Sequence, residues 1–222
     1  MSRRRYTFLR QQGPLLGLIL VIFLIFIGQL LLGPDWYKGL MTVPGEITAT
    51  WRNVMEGNLS GSDVRNFGTL LSSAFLHGGV DHVVFNMLFL WVFAALTVEL
   101  LGRRWMFSIF FITAIAGSIG HTVLNPNDLT PMLGASGAVM GFKGAYLGLA
   151  VRWRLPDPHV WPIARPIPPA HLAALAVFGV VMDFMGIMNH DQVGIAFGAH
   201  IGGFVAGVFL TSFITPKPRS AY

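Results

Sequence analysis

The feature that most constrains this chain is a set of apolar runs long enough to cross a bilayer. Residues 14–32 contain no charged side chain and are broken only by glycines and Gln29. That is too long for the apolar region of a cleaved signal peptide, and no small-x-small cleavage site follows closely. About 20 such residues span the hydrocarbon core as a helix, so this run is read as a retained first transmembrane helix. Five more runs follow, at 81–100, 105–123, 134–151, 170–188 and 194–214. Composition agrees with a lipid solvent. Only 11% of residues are charged and the mean hydropathy is +0.62, whereas a soluble domain carries roughly 25% charged residues.

The expected fold is therefore an all-α polytopic membrane protein with six transmembrane helices. Its parts are a basic N-terminus at 1–13, one membrane domain at 14–214 and a tail at 215–222. Residues 33–76 form a long mixed segment, rich in aromatics, expected at the outer bilayer interface. The charge distribution sets the orientation. Eleven of the fifteen Lys and Arg residues fall before the first span, after the second, after the fourth and after the sixth; three, Lys38, Arg52 and Arg65, fall in 33–76. By the positive-inside rule both termini are cytoplasmic. The basic residues separate apolar runs instead of clustering with aromatics on one face. The +5 net charge thus speaks for the lipid bilayer as partner and against nucleic acid. With no cysteine, disulfides, thiolate catalysis and cysteine metal sites are excluded.

Polar side chains inside spans are costly and mark function. His82 and Asn86 stand four apart, on one helix face, where they can donate toward one point; they can equally tie two helices together. His77 stands five residues earlier and is read as a cap or loop anchor. Ser136 lies in Gly134-Ala135-Ser136-Gly137-Ala138, at the head of a span carrying Gly137, Gly141, Gly144 and Gly148. Taken alone this is a packing motif, and it is not the Gly-x-Ser-x-Gly elbow of soluble hydrolases. His200, early in the sixth run, is followed by Gly203 and Gly207. That Gly-x-x-x-Gly face predicts close approach to the glycine-lined fourth helix. Ser136 and His200 then lie at similar depth, where a neutral imidazole can activate a serine. No zinc-ligand spacing joins His77, His82, His121, His190 and His200. A small proton-coupled transporter would show inverted repeats, and none is visible.

Together, His77-x4-His82-x3-Asn86, Gly134-Ala135-Ser136-Gly137 and Ala199-His200-x2-Gly203-x3-Gly207 resemble the rhomboid family of intramembrane serine proteases, over about residues 15–214. The resemblance implies a Ser136–His200 dyad without a carboxylate. It implies an oxyanion hole formed by His82, Asn86 and the backbone N–H of Ser136, with His77, Gly134 and Met140 in support. It implies a transmembrane protein substrate, an interfacial hairpin at 33–76, a gate at the fifth span and the turn 189–193, and neither cofactor nor metal. By analogy with the minimal six-helix form, the plasma membrane of a prokaryote is the expected location. An inactive rhomboid-like protein that binds membrane clients is the alternative. The sequence departs from the family pattern at three places. Trp51-Arg52 lies far upstream of the histidine motif, Met140 stands where an aromatic often packs on the catalytic histidine, and Lys143 lies two turns below Ser136, with Glu99 and Asp183 as candidate partners. Glu99 and Arg103 form an i, i+4 pair at the cytoplasmic end.

Overall fold

The computed structural model describes residues 3–157, 168–189 and 195–219, with side chains from residue 12 onward except those of 182–184 and 186–189. Helix α1 (Arg3–Leu32) begins well before the apolar run and takes in Pro14. Arginine is a good helix former, so the expected N-terminal tail is largely helical. Leu15, Leu18, Ile22, Phe26 and Gln29 form its buried stripe, at the three- and four-residue spacing of one helix face.

The long segment after α1 carries structure of its own, an outer hairpin of α2 (Pro44–Met55) and α3 (Gly61–Ser72). A capping box starts α3. The Asp63 N–H donates to Ser60 Oγ, and the Ser60 N–H donates to the Asp63 carboxylate at 2.9 Å. Asn53 adds a third donor at 3.0 Å. The bonds from Ser60 and Asn53 pull the Asp63 carboxyl down to about 2. Helices α4 (Val80–Leu100) and α5 (Arg103–Leu124) follow, joined through Gly102 at φ 94°. Glu99 and Arg103 therefore sit on different helices, not on one helix face as their spacing predicts. Then come α6 (Ser136–Arg152), α7 (Pro169–Asn189) and α8 (Phe197–Phe209), the last running into a π turn at Leu210–Ile214. Residues 158–167 of the proline-rich loop and 190–194 of the polar turn, with His190, lie outside the described residues.

The bundle is apolar outside and partly polar inside. Leu31, Val123 and Val151 are each more than two-thirds exposed, while Thr97, Thr113, Ser118 and Thr211 are buried. This is the pattern of a protein solvated by lipid. Four helices, Gln12–Leu32, Val80–Leu100, Arg103–Leu124 and Phe197–Ile214, are long and apolar enough to cross a membrane. Helix α6 is shorter, at 17 residues, while α7 at 21 residues matches α4 in length. The expected fourth span loses its first two residues because Gly134, at φ 131°, turns the chain before the helix begins. The 17 residues of α6 span about 26 Å, less than a hydrocarbon core of about 30 Å.

Helix α6 is the centre of the bundle, packed by α4, α5, α7 and α8. The predicted meeting of the fourth and sixth helices is present and is made by backbone. A Cβ on Gly203 would fall on the Gly137 carbonyl oxygen, and one on Gly207 on that of Gly141. Helix α5 enters the same seam, where a Cβ on Gly117 would lie 2.8 Å from the Ala199 carbonyl oxygen. A backbone obstacle cannot rotate away as a side chain can. Gly207→Leu is therefore expected to destabilise the protein by about 3 kcal/mol or more, read as a lowered thermal midpoint in detergent. Gly68→Ala, on exposed α3 with nothing within 4 Å, is expected to be neutral or stabilising by about 0.5 kcal/mol.

Candidate active site

The site is built on the turn that precedes α6. The Gly134 N–H donates to the Ser73 carbonyl at 2.9 Å, and the neighbouring Met132 pairs with Thr42 through N–H donors at 2.7 and 3.1 Å. The Ala135 N–H donates to His77 Nε2 at 3.4 Å. Ser73 and His77 thus hold the two residues before Ser136, and Thr42 holds Met132 just upstream. Ser136 is the first residue of α6, so its N–H has no partner within the helix and sits at the positive end of the helix dipole.

His77 is buried, and its main chain is fixed by α1. Its N–H donates to Gln29 Oε1 at 2.9 Å, and Gln29 Nε2 donates to its carbonyl at 3.2 Å. Burial, and then the His82 imidazole 5.1 Å away, push His77 down to about 3. It is therefore neutral, with Nε2 free to accept. The supporting part expected of it is that of an anchor for the Ser136 turn.

His82, in the first turn of α4, accepts the Gly78 N–H at Nδ1 (3.3 Å). With Nδ1 accepting, the neutral ring carries its proton on Nε2. That nitrogen lies against Gly134, where a Cβ would come within 2.8 Å of it. Gly134 therefore serves twice, through its positive φ and through the space it leaves for His82. Asn86, one turn further along α4, is 7% exposed, and among the described residues its Nδ2 has no hydrogen-bond partner. A buried amide donor without a partner costs about 1–3 kcal/mol unless a ligand or water satisfies it.

Ser136, His200, His82 and Asn86 line one cavity of about 770 Å³. They come from α6, α8 and α4. The ring of Phe197 stands edge-on to His200 at 6.2 Å, and Phe85 and Phe89 supply an apolar wall. The serine proposed as nucleophile, the histidine proposed as base and both side-chain oxyanion candidates thus share one wall, with His77 and Gly134 bracing it from behind. Met140, given a supporting part on the candidate catalytic histidine, also borders α7. It is buried, and its Cε lies beside Gly179 of α7. Lys143 stands over the rings of Phe89 (4.8 Å) and Phe93 (5.9 Å) and also near Gly179; the side chain of its candidate partner Asp183 lies outside the described residues.

Three further cavity residues escaped sequence reasoning as site residues: Asp81, His121 and Asp128. Asp81 directly precedes His82 and reads as an ordinary first-turn acid. Asp128 reads as part of an Asn-Pro-Asn-Asp turn. His121 was weighed only among five histidines that lack zinc-ligand spacing. Among the described residues, no group of three or more His, Asp or Glu is set to hold a metal ion.

Comparison with known proteins decides the family, since the Rhomboid domain model matches residues 64–217. The chain belongs to the rhomboid family. The rhomboid YdcA of Bacillus subtilis is 28% identical over 185 residues, 82% of this chain and 84% of that protein. The rhomboid protease GluP of the same organism is 31% identical over 69% of this chain. Rhomboid protein 1 of Saccharomyces cerevisiae mitochondria is 27% identical over 77% of this chain. The chain spans only 27% of the length of GluP and 49% of the mitochondrial protein. Family and apolar helices together make this rhomboid a multi-pass membrane protein.

The environment of His77 has a consequence for stability. An unfolded histidine takes a proton near pH 6.5, whereas folded His77 resists one down to about 3. Between these values the unfolded state binds more protons, so stability falls as pH falls. The expected contribution is about 1.4 kcal/mol per pH unit, fully absent above pH 6.5. Thermal midpoints of detergent-solubilised protein at pH 7.5 and pH 5 check it. His77→Gln, which keeps a neutral acceptor, is expected to flatten the profile; an unchanged acid slope would remove His77 as its source.

Proposed function

We propose that this rhomboid is an intramembrane serine endopeptidase that hydrolyses a peptide bond in or beside the transmembrane helix of a membrane-protein substrate. Ser136 is the nucleophile and His200 the general base. Six spans, with α6 as the short one, and cytoplasmic termini complete the reading, in the plasma membrane of a prokaryote. One observation carries it. Ser136, His200, His82 and Asn86, drawn from three helices, line a single cavity, and Asn86 presents there a buried donor without a partner among the described residues.

The chemistry follows from these groups. His200 takes the Ser136 hydroxyl proton as Oγ attacks the scissile carbonyl carbon. The carbonyl oxygen becomes an oxyanion, accepting hydrogen bonds from His82 Nε2–H, Asn86 Nδ2–H and the Ser136 N–H at the head of α6. These donors are fixed before the charge develops, which makes them effective in a low-dielectric site. The C–N bond breaks as His200 returns the proton to the leaving amine. Water, activated by the same imidazole, then hydrolyses the acyl-serine ester. The α7 segment and the turn 189–193 are assigned to substrate access.

A fluorophosphonate probe tests the reading. The wild type is expected to label, and Ser136→Ala and His200→Ala are not. Labelling that persists in Ser136→Ala would remove Ser136 as nucleophile. Asn86→Ala keeps the dyad, so it is expected to label while its turnover of a transmembrane reporter falls by about a hundredfold. Unlabelled wild type that still retains membrane clients is the result expected of a client-binding rhomboid without activity.

A further inference from the structure

The cavity holds a second chemistry that the dyad does not use. Asp81, in the first turn of α4, and Asp128, in the α5–α6 loop, both line it. Asp128 Oδ1 accepts the Thr130 N–H at 2.8 Å, which holds its carboxyl below the usual range and keeps it ionised at neutral pH. Among the described residues, neither carboxylate makes an ion pair with a Lys or Arg. The other titratable groups on the wall are His82, His121 and His200, and no Lys or Arg belongs to it. The cation on the adjoining helix, Lys143, stacks over Phe89 and Phe93 and is not part of the wall. The Asn86 amide, buried and without a partner, independently marks the cavity as built to receive a ligand.

We propose that Asp81 and Asp128 select substrates carrying a lysine or arginine beside the scissile bond. This rests on the protease reading above and names the class of substrate it would take. An apolar pocket separates side chains of similar shape poorly, one methylene giving roughly a tenfold to 200-fold preference. Two carboxylates in one cavity act differently. They attract a cation and repel an acidic residue, so the wrong substrate is rejected as well as the right one favoured. Outer juxtamembrane segments are ordinarily poor in Lys and Arg. A basic residue there is consequently a mark that few membrane proteins carry.

The test uses purified full-length protein in proteoliposomes and transmembrane reporters bearing Lys, Gln or Glu at each position flanking the cut. At one or more positions kcat/KM for the Lys reporter is expected to exceed that for the Glu reporter by about tenfold. The ratio is expected to fall toward one in the double variant Asp81→Asn, Asp128→Asn. Asparagine retains the oxygen that accepts from Thr130, so the turn is kept. Glu56→Gln, exposed at the end of α2, is expected to keep the wild-type ratio. A ratio of one at every position, with the Gln reporter cleaved, overturns the selection and leaves the protease reading standing. If no reporter is cleaved, the protease reading fails, and binding of the same peptides to Ser136→Ala protein by fluorescence anisotropy decides the selection. Tighter binding of the Lys peptide, lost in the aspartate variants, upholds it; equal binding overturns it.

Discussion

Everything in this bundle depends on the backbone contact between α6 and α8. Lipid tails are as apolar as leucine, so burial of apolar surface gives little reason for two membrane helices to pair, and close packing has to supply the attraction. Gly203 against the Gly137 carbonyl, and Gly207 against that of Gly141, provide it. Gly117 of α5 meets both helices at the same level. The contact also fixes the site. Ser136 directly precedes Gly137, and His200 stands one turn before Gly203, so the spacing of the seam is the spacing of the two candidate catalytic residues. A packing motif and a candidate catalytic motif are here one object.

The head of α6 is secured from the opposite direction. Gln29 of α1 clasps the main chain of His77, His77 takes the Ala135 N–H, and Ser73 takes that of Gly134. The outer hairpin joins through Thr42, which bonds Met132, the Thr69 carbonyl and Ser73 Oγ. The single polar side chain of the first apolar run, near its end, is therefore an anchor for a residue more than a hundred positions later. It also explains why His77 must stay neutral: a protonated ring could keep Nε2 as a donor but not as the acceptor of the Ala135 N–H.

Much of this was legible in the sequence, and the limits have physical causes. Long apolar runs announce helices because nothing else satisfies backbone groups in lipid. The glycine spacings announce the α6–α8 seam because only small residues permit it. The α2–α3 hairpin was legible only as a long aromatic segment, since short amphipathic helices lack a run of membrane length. The start of α6 was hidden because it rests on one dihedral, at Gly134. Met140 borders Gly179 of α7, a contact that its spacing from Ser136 does not reveal. Lys143 has the rings of Phe89 and Phe93 beneath its ammonium, a cation–π seat that helical spacing alone does not reveal. Asp81 and Asp128 were invisible as a pair because each has an ordinary local explanation, and only the fold brings them to one cavity.

That cavity gives the charge distribution a second meaning. One end of the bundle gathers His82, His121, His200, Asp81 and Asp128 around Asn86 and Ser136. The other gathers cations. Arg219 lies against Gly102, while Arg152 and Lys217 stand over the Trp153 ring at 5.0 and 5.5 Å. Among the described residues, the first end has Arg52 and Arg65 on the hairpin and, just before it, Lys38, which is already paired with Asp35 at 3.1 Å. The bias that orients a membrane protein thus also leaves Asp81 and Asp128, among the described residues, without an ion pair to a Lys or Arg. A lysine or arginine moved to that end for any other reason would compete for Asp81 and Asp128, so orientation and substrate choice constrain the same positions.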